Sequence, residues 1–388
     1  MRFLVIGAGL TGAVISRVLA EAGHTCTIYE RDPHVAGNCH TARDPETGIL
    51  VHQYGPHTLH TDNQGIWDFI ERFTQIHPYR HRKQAWAQGK LYPFPINLEA
   101  INQFFGVTLT TDTVQDFFDK QALRLDQHPR NFEEAALSSI GPKLYEAFYH
   151  GYTTKQWGRP ANELPAFIFR RLPVHLSSDS NVFHHKQQGQ PIDGYTKMVE
   201  NMLDHENITL FLNRPFEVDG DQKGYDHTFY SGAIDHFFNC SLGRLAYRTL
   251  DFEHEHREGQ FQDCGTVNYC DLEVPYTRVF EHKHFWPKNN CTKTIISYEF
   301  SRECGADDKP YYPIRLAKDN SLYEDYVTLA KREPNVSFVG RLGTYRYLDM
   351  DVAIGEAMQA ARGTIAAIEG NAPIPAFFVD TNTPHSKT

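Results

Sequence analysis

The sequence predicts an α/β fold: a Rossmann-like domain, interrupted by a helical insertion and an antiparallel β-sheet domain. Three observations predict it. Residues 2–30 read as a strand, a glycine turn, a helix and a second strand, and residues from about 97 to 170 have helical apolar spacing. Residues from about 206 to 300 form short β-rich runs between Gly, Asn and Asp clusters. Later residues return to an α/β pattern, which closes the domain begun at the N-terminus.

The N-terminal unit carries a phosphate-binding glycine motif. Gly7 permits a tight turn, Gly9 lets the backbone approach a pyrophosphate, and Gly12 allows the helix to pack closely. The amides that open the helix point at the phosphates. Glu30 ends the second strand, where a carboxylate accepts the hydroxyls of an adenosine ribose. Glycines often serve turns alone, but the flanking strand and helix favour a dinucleotide site.

The residues after Glu30 favour FAD over NAD. The run RDPHVAGN begins at Arg31 and ends at Asn38, and its second small-residue turn resembles the extended FAD fingerprint of flavoproteins. A second glycine motif for a bound nicotinamide is not found. FAD is therefore the predicted cofactor.

Composition limits the remaining classes. A chain of 388 residues is long enough for two or three lobes. A formal net charge of -10 argues against a nucleic-acid surface, although a local basic cleft could still bind a nucleotide diphosphate. Seven cysteines without a CxxC pair indicate reduced thiols. We expect a cytoplasmic protein without a signal peptide, a membrane helix or a metal site.

The patterns predict a discontinuous organisation. We expect the FAD-binding domain in residues 1–76, 183–205 and 332–372, and a tail in 373–388. We expect a helical domain in residues 77–182 and an antiparallel sheet domain in 206–331. Further predicted elements are two short strands around residues 54–56, helices at 64–73, 321–332 and 350–368, and a strand at 336–339.

Several segments carry a family resemblance. They are GPHTLHT (55–61), PFPINLEAINQFF (93–105), FYHGYTTKQWG (148–158), RRLPVH (170–175), TRVFEHKHF (277–285), PYYPI (310–314) and GRLGTYRYLDMD (340–351). In this order they resemble the UDP-galactopyranose mutase family of bacterial type, from residue 1 to about 368. The YTTKQWG and YRYLDMD blocks are far more specific than the glycine motif.

The resemblance implies an FAD-dependent isomerase that interconverts UDP-galactopyranose and UDP-galactofuranose. The flavin must be reduced, its N5 forms an adduct with the sugar, and there is no net redox change. The protein supplies position and charge, while the cofactor supplies the difficult chemistry. The resemblance also implies a homodimer, a nucleotide-sugar substrate and a role in cell-surface polysaccharide synthesis.

The resemblance places two arginines at the diphosphate. They are Arg171 in RRLPVH and Arg278 in TRVFEHKHF, which come from separate lobes and could clamp one diphosphate. Arginine suits this role because its planar fork donates to two oxygens and stays charged. The alternative for Arg278, beside Glu281 in a β-patterned run, is a surface or salt-bridge role.

The resemblance also assigns the diphosphate contacts and the mobile side of the site. Tyr312 and Tyr347 match tyrosines whose hydroxyls contact the diphosphate, although tyrosine is more often an amphipathic core residue. Asp349 matches a carboxylate on the mobile-loop side of the site. Asp349 could also be the N-cap of the helix that begins near Met350.

Aromatic residues of the helical insertion are assigned to the base and to the loop. Phe148 and Tyr152 lie four residues apart on one predicted helix face, and by resemblance they hold the uracil. Trp157 resembles the start of a mobile loop, near residues 157–170, that closes over the substrate. The alternative for Trp157 is a loop anchor packed on the helical lobe.

The segment GPHTLHT resembles the family's flavin-contacting turn. His57 and His60 could form a metal pair, but no third ligand is found, and we reject that alternative. The resemblance places both against the isoalloxazine, with His60 the nearer catalytic candidate. Arg341 resembles an arginine that contacts FAD. The helix beginning near Met350 would direct its amides at the pyrimidine edge and favour the anionic reduced flavin.

Three departures from the family pattern leave other substrates open. Val182 replaces a tyrosine whose hydroxyl is expected at the diphosphate, Leu59 replaces a phenylalanine, and Ala36 replaces a glycine. They allow the same ring contraction on another nucleotide sugar, such as dTDP-fucopyranose. A third hypothesis is a flavin oxidoreductase of the amine-oxidase type.

Overall fold

The computed structural model describes residues 1–171, 174–287 and 291–381, without the side chains of residues 170, 171, 219 and 317. Within this part, a five-stranded sheet and a seven-stranded sheet form the two largest layers. A helical lobe packs beside the seven-stranded sheet. A helix that is both long and apolar enough to cross a membrane is not found in the described residues.

The five-stranded sheet is entirely parallel. Its strands, in spatial order, are Ile208–Phe211, Thr25–Tyr29, Arg2–Ile6, His227–Tyr230 and Val336–Phe338. Phe3, Leu4 and Val5 in its centre are fully buried, because both faces of the sheet are covered. The helices Leu10–Glu21 and Met350–Glu369 pack against each other beside it. This is the predicted Rossmann-like layer.

Two strands of this layer correct the predicted domain boundaries. Ile208–Phe211 and His227–Tyr230 were expected in the antiparallel sheet domain, but both pair in parallel with strands of the Rossmann-like layer. A short apolar run fits either kind of sheet, so composition alone could not decide. All four residues of His227–Tyr230 are buried, as is typical of a strand covered on both faces.

The seven-stranded sheet does not coincide with the predicted range of residues 206–331. Its strands, in spatial order, are Tyr312–Pro313, Tyr247–Glu258, Lys293–Glu303, Arg278–Glu281, Thr266–Tyr269, Lys83–Ala87 and Lys90–Phe94. Neighbours are antiparallel except for Thr266–Tyr269 and Lys83–Ala87, which are parallel. The last two strands were expected in the helical domain. Tyr247–Glu258 was not predicted, because its second half is charged and mostly exposed.

The predicted helical insertion is present from Leu98 onwards. Its helices are Leu98–Phe105, Val114–Asp119, Phe132–Leu144 and Gly151–Trp157, with a π-helical turn at Tyr145–His150 and 3-10 turns at Ala161–Glu163 and Ala166–Arg171. Asn97 and Asn131 cap two of these helices through their side-chain oxygens. Gly141, with φ of +75°, interrupts Phe132–Leu144 just before Pro142.

The remaining elements connect these layers. The strands Thr41–Arg43 and Leu50–His52 form one antiparallel pair, and Leu59–Thr61, Gln187–Pro191 and Ile76–Pro78 form a three-stranded sheet. The other helices are Gln64–Glu71, Gly194–Leu203, Val218–Asp221, Ile234–Phe237, Ala317–Ala330 and Gly340–Gly343, with 3-10 turns at Gly37–Cys39 and His282–Phe285.

The predicted tail is partly packed. The backbone N–H of Phe338 donates to the carbonyl of Ala376, and the ring of Phe377 stacks on Phe338. Ala376 and Phe377 of the predicted tail, residues 373–388, thus contact the five-stranded sheet. Residues 382–388 lie outside the described part.

Buried histidines join the pair of strands at residues 41–52 to the seven-stranded sheet. His52 is 1% exposed, and its ring stacks on Trp286 with centroids 5.1 Å apart. His282 is fully buried, with Nε2 2.6 Å from the hydroxyl of Ser297. Burial lowers the pKa of His282 to about 3 and holds the pKa of His52 well below its usual value. Both rings are therefore neutral at pH 7.

We predict that mild acid destabilises the protein through these rings. In the unfolded chain the histidines bind protons below pH about 6.5, whereas His52 and His282 stay neutral in the folded protein. Stability should fall as the pH drops from 6.5 towards 4, by up to about 1.4 kcal/mol per pH unit for each ring. Urea unfolding between pH 7 and 5, with FAD in excess, measures this slope. His52→Phe should reduce the slope and the exposed control His128→Gln should not; equal slopes in all three proteins would contradict the prediction.

Candidate functional site

The glycine turn brings the first strand and helix into direct contact. Gly7 has φ of +98°, in the left-handed region that favours glycine. A Cβ on Gly12 would lie 2.0 Å from the carbonyl oxygen of Gly7. The helix can therefore approach the turn only because residue 12 has no side chain.

The backbone of this turn leaves room for a phosphate. Gly9 is the N-cap residue of Leu10–Glu21, whose first turn has no capping side chain and no acidic residue. A Cβ on Gly9 would meet only the Cα of Gly37, 4.0 Å away. Asn38 follows Gly37 in the 3-10 turn Gly37–Cys39 and is half-buried. Open amides at a helix N-terminus fit the pyrophosphate of FAD.

Glu30 is held in the orientation that a ribose site needs. Its side chain is 6% exposed, with one oxygen accepting from the amide of Ala8 at 2.7 Å and the other from the amide of Asp32 at 2.9 Å. Each oxygen keeps a lone pair for a ribose hydroxyl. Arg31 is exposed beside it, and Ala36 has φ of +73° where the family pattern has a glycine.

At the other end of the site, Arg341 meets the two predicted diphosphate tyrosines. Its guanidinium carbon lies 4.9 Å from the ring centroid of Tyr347 and 5.9 Å from that of Tyr312. The two rings stack with centroids 5.5 Å apart. Arg341 also donates to the carbonyl of Leu348 at 2.6 Å. The arginine predicted for FAD therefore lies beside side chains predicted for the substrate.

The helix Met350–Glu369 points its N-terminus into this region. Asp349 is its N-cap residue, but the Asp349 side chain accepts no capping hydrogen bond. The position agrees with the predicted N-cap, whereas the carboxylate remains available for another partner. Met350 accepts a weak hydrogen bond from the thiol of Cys39 at 3.6 Å.

The two predicted flavin histidines are neutral at pH 7. His57 Nδ1 lies 2.9 Å from the carbonyl oxygen of Gly55, and burial with the nearby charge of Arg341 lowers the His57 pKa to about 4. His60 stacks on Phe183 with ring centroids 3.8 Å apart. Burial lowers the pKa of His60, and the charge of Asp349 opposes this. His60 therefore lies near the start of the 350–369 helix.

Arg278 forms the salt bridge that was its alternative role, but with a different acid. Its Nε and Nη2 donate to the two carboxylate oxygens of Glu299 at 2.8 and 2.5 Å. The Glu299 side chain is fully buried, and the Arg278 side chain is 19% exposed. Burial opposes the charged guanidinium, but Glu299 dominates and holds the Arg278 pKa well above its usual value. Nη1 makes no hydrogen bond with the described residues, so the exposed part of the fork can still donate.

Of the two aromatic residues predicted for the base, only Tyr152 faces this arginine. Tyr152 is half-buried, and it interacts electrostatically with Arg278, as Tyr312 does. Phe148 is 2% exposed and packs edge-on against Tyr92 and Phe104. The π-helical turn Tyr145–His150 changes the angular spacing that the prediction assumed. The contact of Phe148 with uracil stays a prediction.

The predicted mobile loop borders a small pocket. Trp157 and Phe167 line one side, and Ile314 and Tyr347 line the other. Trp157 therefore faces both the loop and the predicted substrate side chains. The side chain of Arg171 lies outside the described part of the structure.

The sequence patterns missed two polar residues at the centre of the site. Asn268 pairs in register with Arg278 and lies on the same sheet face. It is 4% exposed, and its Oδ1 has no partner among the described residues. Glu299, described above, is the second. Both are polar residues inside β-patterned runs, a signal that was available in the sequence.

Lys155 joins the site helix to the turn that follows strand Thr266–Tyr269. Its ammonium donates to the carbonyl oxygens of Tyr269, Asp271, Val274 and Tyr276 at 2.8 to 3.0 Å. Burial lowers the Lys155 pKa to about 8, so the side chain is mostly charged at pH 7. Because helix Gly151–Trp157 carries Tyr152 and Trp157, this contact fixes both relative to the sheet.

We predict that Lys155→Ala lowers the free energy of unfolding by about 3 kcal/mol, because four carbonyl groups lose a charged donor. Part of the loss should return with K⁺, since carbonyl oxygens can replace the hydration shell of that ion. Melting temperatures in KCl and in NaCl at equal ionic strength measure both effects. The exposed control Lys143→Ala should change neither; an unaltered melting temperature of Lys155→Ala would refute the proposed anchor.

We predict that Gly12→Ala loses at least tenfold in FAD affinity. The added methyl group would force the helix away from the Gly7 carbonyl and misalign the amides, at about 3 kcal/mol of overpacking. Flavin absorbance per mole of purified protein measures the loss. Gly65→Ala is the matched control, because its Cβ would meet its nearest neighbour at 3.4 Å. Full flavin content in Gly12→Ala would show that this contact is not needed.

Comparison with protein families gives two matches. The family described as GLF, UDP-galactopyranose mutase, matches residues 147–347. The family described as NAD(P)-binding Rossmann-like domain matches residues 5–73. Together they cover the glycine turn, the end of the helical lobe from residue 147 and the strands of the seven-stranded sheet that follow it.

Individual relatives are similar in sequence or fold over nearly the whole chain. A probable UDP-galactopyranose mutase of Klebsiella pneumoniae is 46% identical, covering 97% of this chain and 98% of its own. A dTDP-fucopyranose mutase of Escherichia coli is 44% identical, covering 93% of this chain and 97% of its own. A crystal structure of reduced UDP-galactopyranose mutase shares the fold, with a TM-score of 0.71, 15% identity and 96% of each chain covered. The chain therefore belongs to the UDP-galactopyranose mutase family of isomerases, with FAD as the cofactor of its Rossmann-like domain.

Proposed function

We propose that this protein interconverts UDP-galactopyranose and UDP-galactofuranose, without net redox change. The observation that carries the proposal is the position of Arg278. It is oriented by Glu299 on the sheet face, faces Tyr152 and Tyr312, and so adjoins the Arg341 end of the FAD domain. The name of the Klebsiella pneumoniae relative supports the same reaction.

The cofactor and the protein have separate tasks in this proposal. Reduced FAD, when bound, supplies the nucleophile for the anomeric carbon. Gly9 and Glu30 would hold its pyrophosphate and ribose, and the N-terminus of helix Met350–Glu369 would meet the flavin. His57 and His60, neutral at pH 7, would line that end without adding positive charge beside the arginines.

The substrate side is built to stabilise a departing diphosphate. As the bond from the anomeric carbon to the phosphate oxygen breaks, negative charge grows on that phosphate, and Arg278 meets it with a fixed fork. Tyr312 and Tyr347 would add hydroxyl donors, and Arg171 would approach from the helical lobe. Trp157 and the loop near residues 157–170 would close over the substrate and exclude water.

The same proposal includes the setting of the enzyme. The substrate is a nucleotide-diphosphate sugar, the assembly is a homodimer, and the location is the cytoplasm. The buried free thiols of Cys26, Cys39, Cys264 and Cys270 support a reducing compartment. The furanose product would serve cell-surface polysaccharide synthesis.

A second candidate substrate is a dTDP sugar such as dTDP-fucopyranose. Val182, half-buried next to the Phe183 ring that stacks on His60, cannot supply the hydroxyl expected at that position. The Escherichia coli relative, 44% identical, is named for that substrate. The ring contraction itself would be unchanged, because Arg278 and the FAD domain remain in place.

Anaerobic turnover of the dithionite-reduced enzyme distinguishes the two. UDP-galactofuranose and dTDP-fucopyranose are supplied separately, and the ring isomers are resolved by chromatography. We expect conversion of the UDP sugar only with reduced flavin and without stoichiometric NAD(P)H consumption. Conversion of the dTDP sugar alone would support the second candidate, and conversion of neither would refute the proposed reaction.

A further inference from the structure

Lys83 shares the sheet face that carries Arg278. In register, Asn268 lies between Ala85 on one neighbouring strand and Arg278 on the other. Side chains of residues that pair in register point to the same face, and every second residue of a strand shares that face. Lys83 lies two residues before Ala85, so its side chain projects from the same face of the sheet as that of Arg278. Its own register partner is Thr266, two residues before Asn268.

The surroundings of Lys83 place it between Arg278 and the flavin-side histidines. The titratable groups that interact with it are Arg278 and Glu299 on the sheet, Cys264 in the loop before strand Thr266–Tyr269, His81 ahead of its own strand, and His60 from the three-stranded sheet. Tyr152 and Tyr312 lie near Arg278 as well. Lys83 is thus on the side of Arg278 towards His60.

Lys83 has no partner of its own among the described residues. Glu299 is fully buried, and its two oxygens accept from Arg278 and from the Thr277 hydroxyl. Lys83 is half-buried as a residue, and its ammonium makes no hydrogen bond or ion pair with the described residues. Burial, with the charge of Arg278, lowers the Lys83 pKa to about 8. A cation held in this way gains from an anionic ligand.

We propose that Lys83 is a third cationic contact for the substrate diphosphate, binding the sugar-bearing phosphate on the flavin side of Arg278. This inference rests on the proposed function, because it places the diphosphate over the Arg278 face. Lys83 then adds affinity for the phosphate while the Arg278 fork fixes its orientation.

The test is calorimetric titration of the FAD-loaded enzyme with UDP between pH 7.5 and 9.5. The proteins are the parent, Lys83→Met, Lys83→Arg and Lys90→Met, an exposed lysine of the same hairpin. Uridine, which has no phosphate, is titrated in parallel. We expect the parent Kd for UDP to rise about tenfold across this range as Lys83 loses its proton.

Lys83→Met should weaken UDP binding about tenfold at pH 7.5 and abolish the pH dependence that UDP shows beyond that of uridine. Lys83→Arg should bind UDP tightly up to pH 9.5, and Lys90→Met should match the parent. Uridine binding should not depend on Lys83. An unchanged Kd in Lys83→Met, or an equal loss for uridine, would overturn the inference. If Lys83→Met does not retain FAD, a flat pH profile of the parent would overturn it alone.

UDP binding also separates this inference from the proposed reaction. If UDP affinity depends on Lys83 but the enzyme converts neither sugar, the proposed reaction is refuted and the phosphate contact is supported. If the enzyme converts UDP-galactofuranose but Lys83→Met binds UDP as the parent does, the reaction is supported and the contact is refuted.

Discussion

The buried ion pair between Arg278 and Glu299 is the interaction on which the site depends. Glu299 is fully buried, so its charge is tolerated only because the Arg278 fork and the Thr277 hydroxyl surround it. Breaking such a pair by removing one partner costs about 3 to 5 kcal/mol. Tyr152 and Tyr312 interact electrostatically with the same guanidinium. The ion pair that stabilises Glu299 therefore also orients the Arg278 guanidinium for the proposed diphosphate ligand.

The rest of the site is arranged around that cation by two different kinds of structure. The cofactor cradle is local: Gly7, Gly9 and Gly12 lie within one turn, and Glu30 ends the next strand. The substrate face is not local, because strands from residues 83–94 and 247–313 build it. Arg341 joins the two halves through its contacts with Tyr312 and Tyr347. The chemistry therefore lies where a Rossmann-like unit meets a separate sheet.

The local features of the site could be predicted from the sequence, whereas the pairing of distant strands could not. The tight turn at Gly7, the close packing at Gly12 and the N-cap position of Asp349 depend on neighbouring residues, and the structure has these features. Strand partners depend on distant residues, so Ile208–Phe211 and His227–Tyr230 were placed in the wrong sheet. Most residues predicted to contact FAD or substrate converge on the two ends of the site, but their contacts with ligands remain predictions.

The site residues that sequence reasoning missed have specific physical reasons. The role of Phe148 stays a prediction, since the residue is 2% exposed and a π-helical turn alters the four-residue spacing on which that role was based. Glu299 and Asn268 lie inside β-patterned runs, where polar residues usually indicate the solvent face of a strand. Lys83 begins a hairpin that was not predicted, so its place beside Arg278 could not be predicted either. Only pairing between distant strands brings these side chains together.

The most direct measurement of the central claim is a double-mutant cycle for UDP binding. The proteins are the parent, Arg278→Ala, Glu299→Gln and the double variant, each loaded with FAD and titrated at pH 7.5. If Glu299 acts by orienting Arg278, both single variants should bind UDP at least tenfold more weakly, and Glu299→Gln should change Kd by less than about threefold in the Arg278→Ala background. Additive losses in the double variant would contradict the account.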